Sequence, residues 1–159
     1  EGKLVIQRVI ENMRKVSGVI RAVYVEDYDM DVARMLVSGV DLWLNTPTRP
    51  KEASGTSGMK AALNGVPHFS VLDGWWLEGH IENATGWSIG PHPERNWTED
   101  VESEDVEDMY TKLEYVILPR FEGERDAWVK MMRQSIAING SFFNTHRMVQ
   151  QYVINAYFK

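Results

Sequence analysis

Between Arg49 and Trp76 the chain reads RPKEASGTSGMKAALNGVPHFSVLDGWW, which places a carboxylate, a small-residue turn, one helix-borne amine and an apolar strand in close succession. Ala53, Ser54, Gly55, Thr56, Ser57 and Gly58 are small enough for backbone N–H groups to approach a ligand closely, and the helical pattern of Met59 to Leu63 starts directly behind them. Free N–H groups and the positive end of a helix dipole together favour an anion such as a phosphate group. The same spacing also fits a plain strand-to-helix connection in which Thr56 or Ser57 caps the helix. Lys60 falls in the first turn on this reading. There it is a carbonyl-directed amine if partly desolvated, and an ordinary surface lysine if not. Glu52 precedes it across the turn, so the carboxylate and the amine can face one cavity; pairing of Glu52 with Arg49 or Lys51 is the alternative. His68, His80, His92 and His146 show no metal-ligand spacing and are assigned neither to a metal nor to catalysis.

The elements that must hold these groups follow from periodicity. Ile6, Val9, Ile10, Met13 and Val16 recur at helical spacing and Gly18 ends the run, which predicts an amphipathic helix over residues 4–17, already under way at the N-terminus. Arg21 to Val25 reads as a β-strand with the polar cluster Glu26, Asp27, Tyr28 and Asp29 at its C-terminal end, followed by a short helix from Met30 to Val37. Asp41 to Asn45 reads as a second strand, the Lys60 helix ends at Asn64 and Gly65, and Val66 to Leu72 is a third strand. A fourth is expected near Trp87 to Ile89 within the tryptophan-rich, loop-like residues 74–98. Helices are predicted over Ser103–Ile117, Glu124–Asn139 and Asn144–Phe158, with Pro119, Gly123 and Gly140 as breaks. The fold class is therefore α/β: a Rossmann-like parallel sheet with flanking helices over 1–98 and a helical C-terminal part over 99–159. Such sheets take ligands beyond the C-terminal ends of their strands, where both polar clusters fall.

A chain of 159 residues, 43% hydrophobic and 25% charged, fits one domain with a real core. It has no cysteine, which excludes disulfides and thiolate catalysis and is compatible with a reducing cytosol. No long apolar run and no leader pattern argue for membrane insertion or export, so a cytoplasmic location is the expectation. The net charge of -6 argues against nonspecific nucleic-acid binding. Much of it lies in WTEDVESEDVEDM at 97–109, which reads as a solvated helix start whose acids suit the dipole.

The run EASGTSGMKAALNG followed by SVLDGWW resembles the C-terminal catalytic domain of the α-glucan phosphorylases, the glycogen, starch and maltodextrin phosphorylase family. VYVEDYDMDVA at 23–33 and WVKMMRQSIAINGSFFNTHRMVQQY at 128–152 resemble two further blocks of that family, so the likeness covers nearly the whole chain. The Gly-Trp-Trp and Gly-Trp-Ser-Ile-Gly segments look more like its short bacterial and archaeal branch.

The resemblance implies the C-terminal half of a two-domain GT-B fold, truncated at its N-terminus. It also implies a Schiff base between Lys60 and pyridoxal 5′-phosphate, whose phosphate lies against inorganic phosphate and relays a proton to the glycosidic oxygen. The cofactor would be held by Lys60, Thr56, Ser57 and Gly58, with Tyr28 beside it. Glu52 would accept hydrogen bonds from sugar hydroxyls, and Ser54 and Gly55 would offer backbone contacts to the glucosyl unit. The implied reaction is reversible phosphorolysis of α-1,4-glucan to glucose 1-phosphate, and the implied partners are those substrates, the missing N-terminal half and further copies of the complete enzyme.

Two departures bear on this. Ser57 and Gly58 stand where the family commonly has Gly-Asn, so side-chain roles there do not transfer. The family's Arg-Ile-His-Glu-Tyr-Lys-Arg segment, a source of cations for both phosphates, is absent, so the chain alone is expected to be inactive, with Arg49 and Lys51 facing the loop surface. Trp75 and Trp76 are expected to pack in the core, and Arg147 and Tyr152 to serve structure. Two competing functions remain: a nucleotide-sugar glycosyltransferase of the glycogen synthase type, which has a glutamate where this chain has Lys60, and a non-catalytic cofactor- or sugar-binding scaffold.

Overall fold

The computed structural model describes residues 2–92 and 101–158, so the predicted features that fall on 93–100, Trp97 and the start of the acidic run among them, lie outside the described residues. The chain divides into two compact units, Glu1–Ala33 and Arg34–Lys159. In the first, helix α1 (Gly2–Val16) forms as its periodicity predicts but buries none of its residues. The expected strand at Arg21 to Val25 is not formed: these residues belong to no ladder, and Val19 and Val23 are 92% and 76% exposed. A run of β-branched residues becomes a strand only where a neighbouring strand accepts its hydrogen bonds and a face is covered. The cluster Glu26 to Asp29 therefore does not follow a strand. Asp29 instead starts helix α2 (Met30–Gly39) by accepting the Val32 N–H through its carboxylate.

The second unit contains a sheet of three parallel strands, β1 (Trp43–Asn45), β2 (His68–Val71) and β3 (Gly86–Ile89), in the order β1-β2-β3. Leu44 pairs with Phe69, and Phe69 with Trp87. Helix α3 (Thr56–Leu63) connects β1 to β2, and the short α4 (Trp76–Gly79) lies between β2 and β3. Every residue of β2 is buried, as a central parallel strand covered on both faces requires. Its alternate side chains serve different layers. Phe69 and Val71 join Trp87, Ile89, Ile117, Trp128 and Met131 in the largest cluster, while His68 packs on Trp75 and Trp76, which form a second cluster with Ala62 and Leu72. The expected core role of the two tryptophans is thus observed.

The C-terminal part is helical, with wider turns than the sequence suggests. Helix α5 (Val101–Lys112) runs through a π-type turn at Leu113–Ile117 into α6 (Leu118–Gly123). Pro119 does not break it, because a wide turn just upstream absorbs the hydrogen bond that proline cannot donate. Helix α7 (Arg125–Gln134) continues through a second such turn at Ser135–Asn139 into α8 (Gly140–Phe142), so Gly140 is not a break either, whereas the chain does turn after Gly123. Helix α9 (Thr145–Tyr152) is capped by Asn144, whose side chain accepts the Arg147 N–H, and it ends in a third π-type turn at Val153–Tyr157. Arg147 lies over the Phe142 ring, a structural placement as expected.

Candidate anion site at the start of helix α3

The loop after β1 and the start of α3 enclose a cavity of about 400 Å³ lined by Trp43, Asn45 and residues Glu52 to Gly58. Gly55 is the residue before the helix, in the left-handed region with φ 86°, and no side chain caps the helix start. Capping by Thr56 or Ser57 is thereby ruled out: both lie within the helix itself. Gly58 and Met59 donate their N–H groups to the Gly55 carbonyl. Those of Thr56 and Ser57 have no acceptor among the described residues, leaving two backbone donors at the positive end of the helix. At its far end α3 closes on Gly65 (φ 80°), with Gly65 N–H bonded to Ala62 O and Val66 N–H to Ala61 O.

Lys60 lies in the second turn of α3 rather than the first, four residues after Thr56 and so on its face of the helix, and it is exposed. Glu52 is half-buried and makes no ion pair among the described residues. Pairing with Arg49 is excluded, because that side chain, expected at the surface, is 7% exposed and bound to Asp105, with a further hydrogen bond to the Ile89 carbonyl. Asp105 is far away in sequence, which is why the burial was not legible; Lys51 is exposed as expected. Asp108, from the same acidic run, accepts the Gly90 N–H and pairs with Lys112, so this part of the run is built into the fold. A larger cavity of about 560 Å³, bordered by Arg49, Val71, Ile89 and Asp105, contains none of the predicted site residues.

Residues to which sequence reasoning assigned no part in the site hold the loop that lines the cavity. Asp73 is buried and accepts the Glu52 N–H through one oxygen and the Gly74 N–H through the other, while Trp75 N–H binds the Ser54 carbonyl. These bonds fasten the Glu52 loop to the turn after β2, and Gly74 permits the approach, since a Cβ there would lie 2.7 Å from the Ser54 oxygen. The Asp-Gly pair at the end of an apolar strand was the available signal. His68 is buried against Trp75 and Trp76, with ring centroids 5.1 and 4.6 Å away, and neither ring nitrogen has a hydrogen-bond partner among the described residues. Burial, and secondarily the charge of His80, lowers its pKa from 6.5 to about 3.

Glu52, Ser54, Gly55, Thr56, Ser57 and Gly58 are therefore brought together, with Lys60 one turn along, while Tyr28 lies in the first unit, 58% exposed. Two unbonded amides, a hydroxyl, a carboxylate and an amine can hold an anion and order hydroxyl groups beside it.

A family model for carbohydrate phosphorylases matches residues 3–87. The chain is 44% identical to the maltodextrin phosphorylase of Thermococcus litoralis over 99% of its own length and 19% of that protein. It is 40% identical to the glycogen phosphorylase of Aquifex aeolicus, over 100% of this chain and 23% of that protein, and 37% identical to that of Mycobacterium tuberculosis, over 98% and 18%. The chain thus spans about a fifth of the length of these curated relatives.

Proposed function

The chain belongs to the carbohydrate phosphorylase family, and from that premise we propose that it is the cofactor-anchoring part of an α-glucan phosphorylase, in the C-terminal half of a GT-B architecture. The complete enzyme would cleave α-1,4-glucan reversibly with inorganic phosphate to glucose 1-phosphate, with retention of configuration. The observation that carries this reading is the uncapped start of α3: Thr56 and Ser57, whose N–H groups have no acceptor among the described residues, line one cavity with Glu52.

These residues fit pyridoxal 5′-phosphate. The cradle at Gly55 and Gly58 admits no Cβ, the Thr56 and Ser57 amides and the Thr56 hydroxyl suit a phosphate group, and Lys60 offers an amine for the aldehyde. When bound, the cofactor supplies a phosphate group that exchanges protons beside the substrate phosphate. The chain's own part is to bind and orient. Glu52 would accept hydrogen bonds from sugar hydroxyls as positive charge develops on the glucosyl unit, with Ser54 and Gly55 contributing backbone groups.

Cations for several negative charges would come from elsewhere in the enzyme, since Arg49 is committed to Asp105. We accordingly expect this chain to be inactive alone and the complete enzyme to be a cytoplasmic homo-oligomer; no helix among the described residues is long and apolar enough to cross a membrane.

The test is borohydride reduction after incubation with pyridoxal 5′-phosphate, followed by intact mass and peptide mapping. A single pyridoxyl adduct on Lys60 is expected. It should be absent from Lys60→Ala, whose complete enzyme should have no phosphorolytic activity while keeping its fold, since Lys60 is exposed. An adduct elsewhere, or full activity in Lys60→Ala, would overturn the proposal.

A further inference from the structure

The turn that leads into α3 rests on two rings. A Cβ on Gly55 would lie 2.9 Å from Trp75 Cδ1, and one on Gly58 would lie 2.5 Å from His68 Cε1 and 3.0 Å from both His68 Nδ1 and Trp75 Nε1. Both glycines are therefore flush against a floor built by β2 and the turn that follows it. A side chain at either glycine would overlap these rings, so the rings determine how closely the turn can sit.

An imidazole is a costly choice for such a floor. Its two nitrogens are buried without partners among the described residues, a deficit that an apolar side chain would avoid. What it provides is the smallest flat aromatic ring: a phenyl or indole at this position would push Gly58 outward, and an alanine would leave a hole beneath it. Burial also keeps the ring neutral at any working pH, so it presents a fixed shape and no charge under the positive end of the helix.

We infer that His68 is a positioning residue for phosphate capture: with Trp75 it holds Gly55 and Gly58 at the height that aims the Thr56 and Ser57 N–H groups into the cavity. This rests on the proposed function of the site and adds to it a cause for the affinity toward a phosphate monoester.

The test uses the complete enzyme and two probes, pyridoxal 5′-phosphate and pyridoxal, which share the aldehyde and differ in the phosphate. Affinities are read from the fraction of Lys60 trapped by borohydride across a titration, and folding from thermal unfolding. His68→Ala and Gly58→Ala should each weaken the phosphorylated probe by about ten-fold, on the scale of one misaligned charge-assisted hydrogen bond, and leave pyridoxal nearly unchanged. The double variant should be no worse than the poorer single one, because the added methyl takes space the ring has vacated.

Equal losses for both probes, an unchanged preference in His68→Ala, or multiplying effects in the double variant would overturn the inference. Should His68→Ala fail to fold, His68→Asn is read by the same ratio: a reduced preference supports the role and an unchanged one refutes it. If the unsubstituted enzyme traps neither probe at Lys60, the proposed function itself fails and takes this inference with it; trapping with an unaltered ratio sinks the inference alone.

Discussion

The stretches Trp43–Trp76 and Val19–Tyr28 both carry aromatic and β-branched residues at strand-like density, but they have opposite fates. In the first, Trp43 N–H finds the Pro67 carbonyl, β2 is buried along its whole length, and the turn after it reaches back through Asp73 to fix the Glu52 loop. In the second, Val19, Ile20, Val23 and Tyr28 are exposed and no ladder forms. The contrast teaches that strand formation is a property of pairs: the same residue types give a strand where a neighbour pays the ordering entropy and extended coil where none does.

After the loss of activity expected for Lys60→Ala, the largest effect should come from the well-packed region, at Glu52. If its carboxylate holds sugar hydroxyls more tightly as the glucosyl unit gains positive charge, Glu52→Gln should lower turnover of the complete enzyme by roughly 10- to 1000-fold, the scale of one charge-assisted hydrogen bond in a dry site. Cofactor content, measured by absorbance, should stay the same. A parallel loss of cofactor would place Glu52 in the anchoring machinery instead.

A smaller effect separates the regions by pH. His68 has a folded pKa lowered from 6.5 to about 3, so between those values the unfolded chain binds the proton that the folded chain refuses. Stability from this group is therefore complete above pH 6.5 and is lost as pH falls toward 3, by at most a few kcal/mol (about 1.4 per pH unit). His80 reinforces the shift, and it is itself bonded to Glu82, whose carboxylate is held low by His80, the Ser88 N–H and Lys112 against the opposing effect of burial. The stability that Glu82 contributes is thus also lost in acid, alike in the parent chain and in His68→Asn. The difference between the parent chain and His68→Asn isolates the imidazole: urea midpoints of the variant should fall less steeply between pH 6.5 and 4. Superimposable acid limbs would show that the ring is not kept neutral by the fold.

What the sequence made legible was what is encoded locally. The glycine spacing, the helix from the turn to Asn64 and Gly65, and the strands at Trp43–Asn45, His68–Val71 and Gly86–Ile89 depend on residues within a few positions of one another. What escaped depends on contacts across the fold. Arg49 is buried because Asp105 arrives from α5, and His68 matters because β2 runs beneath the next helix start. Pro119 and Gly140 look like breaks only while a helix is assumed to keep one pitch; the π-type turns at Leu113–Ile117 and Ser135–Asn139 remove that assumption.

The smallest expected effect is at Val23, and it is the one that sharpens the contrast between the regions. In this 159-residue chain Val23 is 76% exposed, so Val23→Ser should change the unfolding free energy by less than about 0.5 kcal/mol, as surface substitutions away from special features do. The resemblance, however, expects residues 23–33 to match a block of the phosphorylases, and the relatives are about five times as long as the chain. If the remainder of the enzyme supplies the missing neighbour, Val23 becomes buried there, and the same substitution should cost on the order of 1–2 kcal/mol in the complete protein, the scale for exchanging a covered branched side chain for a small polar one. Denaturant midpoints of both variants against both parents decide it. A negligible cost in each context would mean that the segment stays uncovered coil, and a large cost in the isolated chain would mean that Val19–Tyr28 already has a partner there.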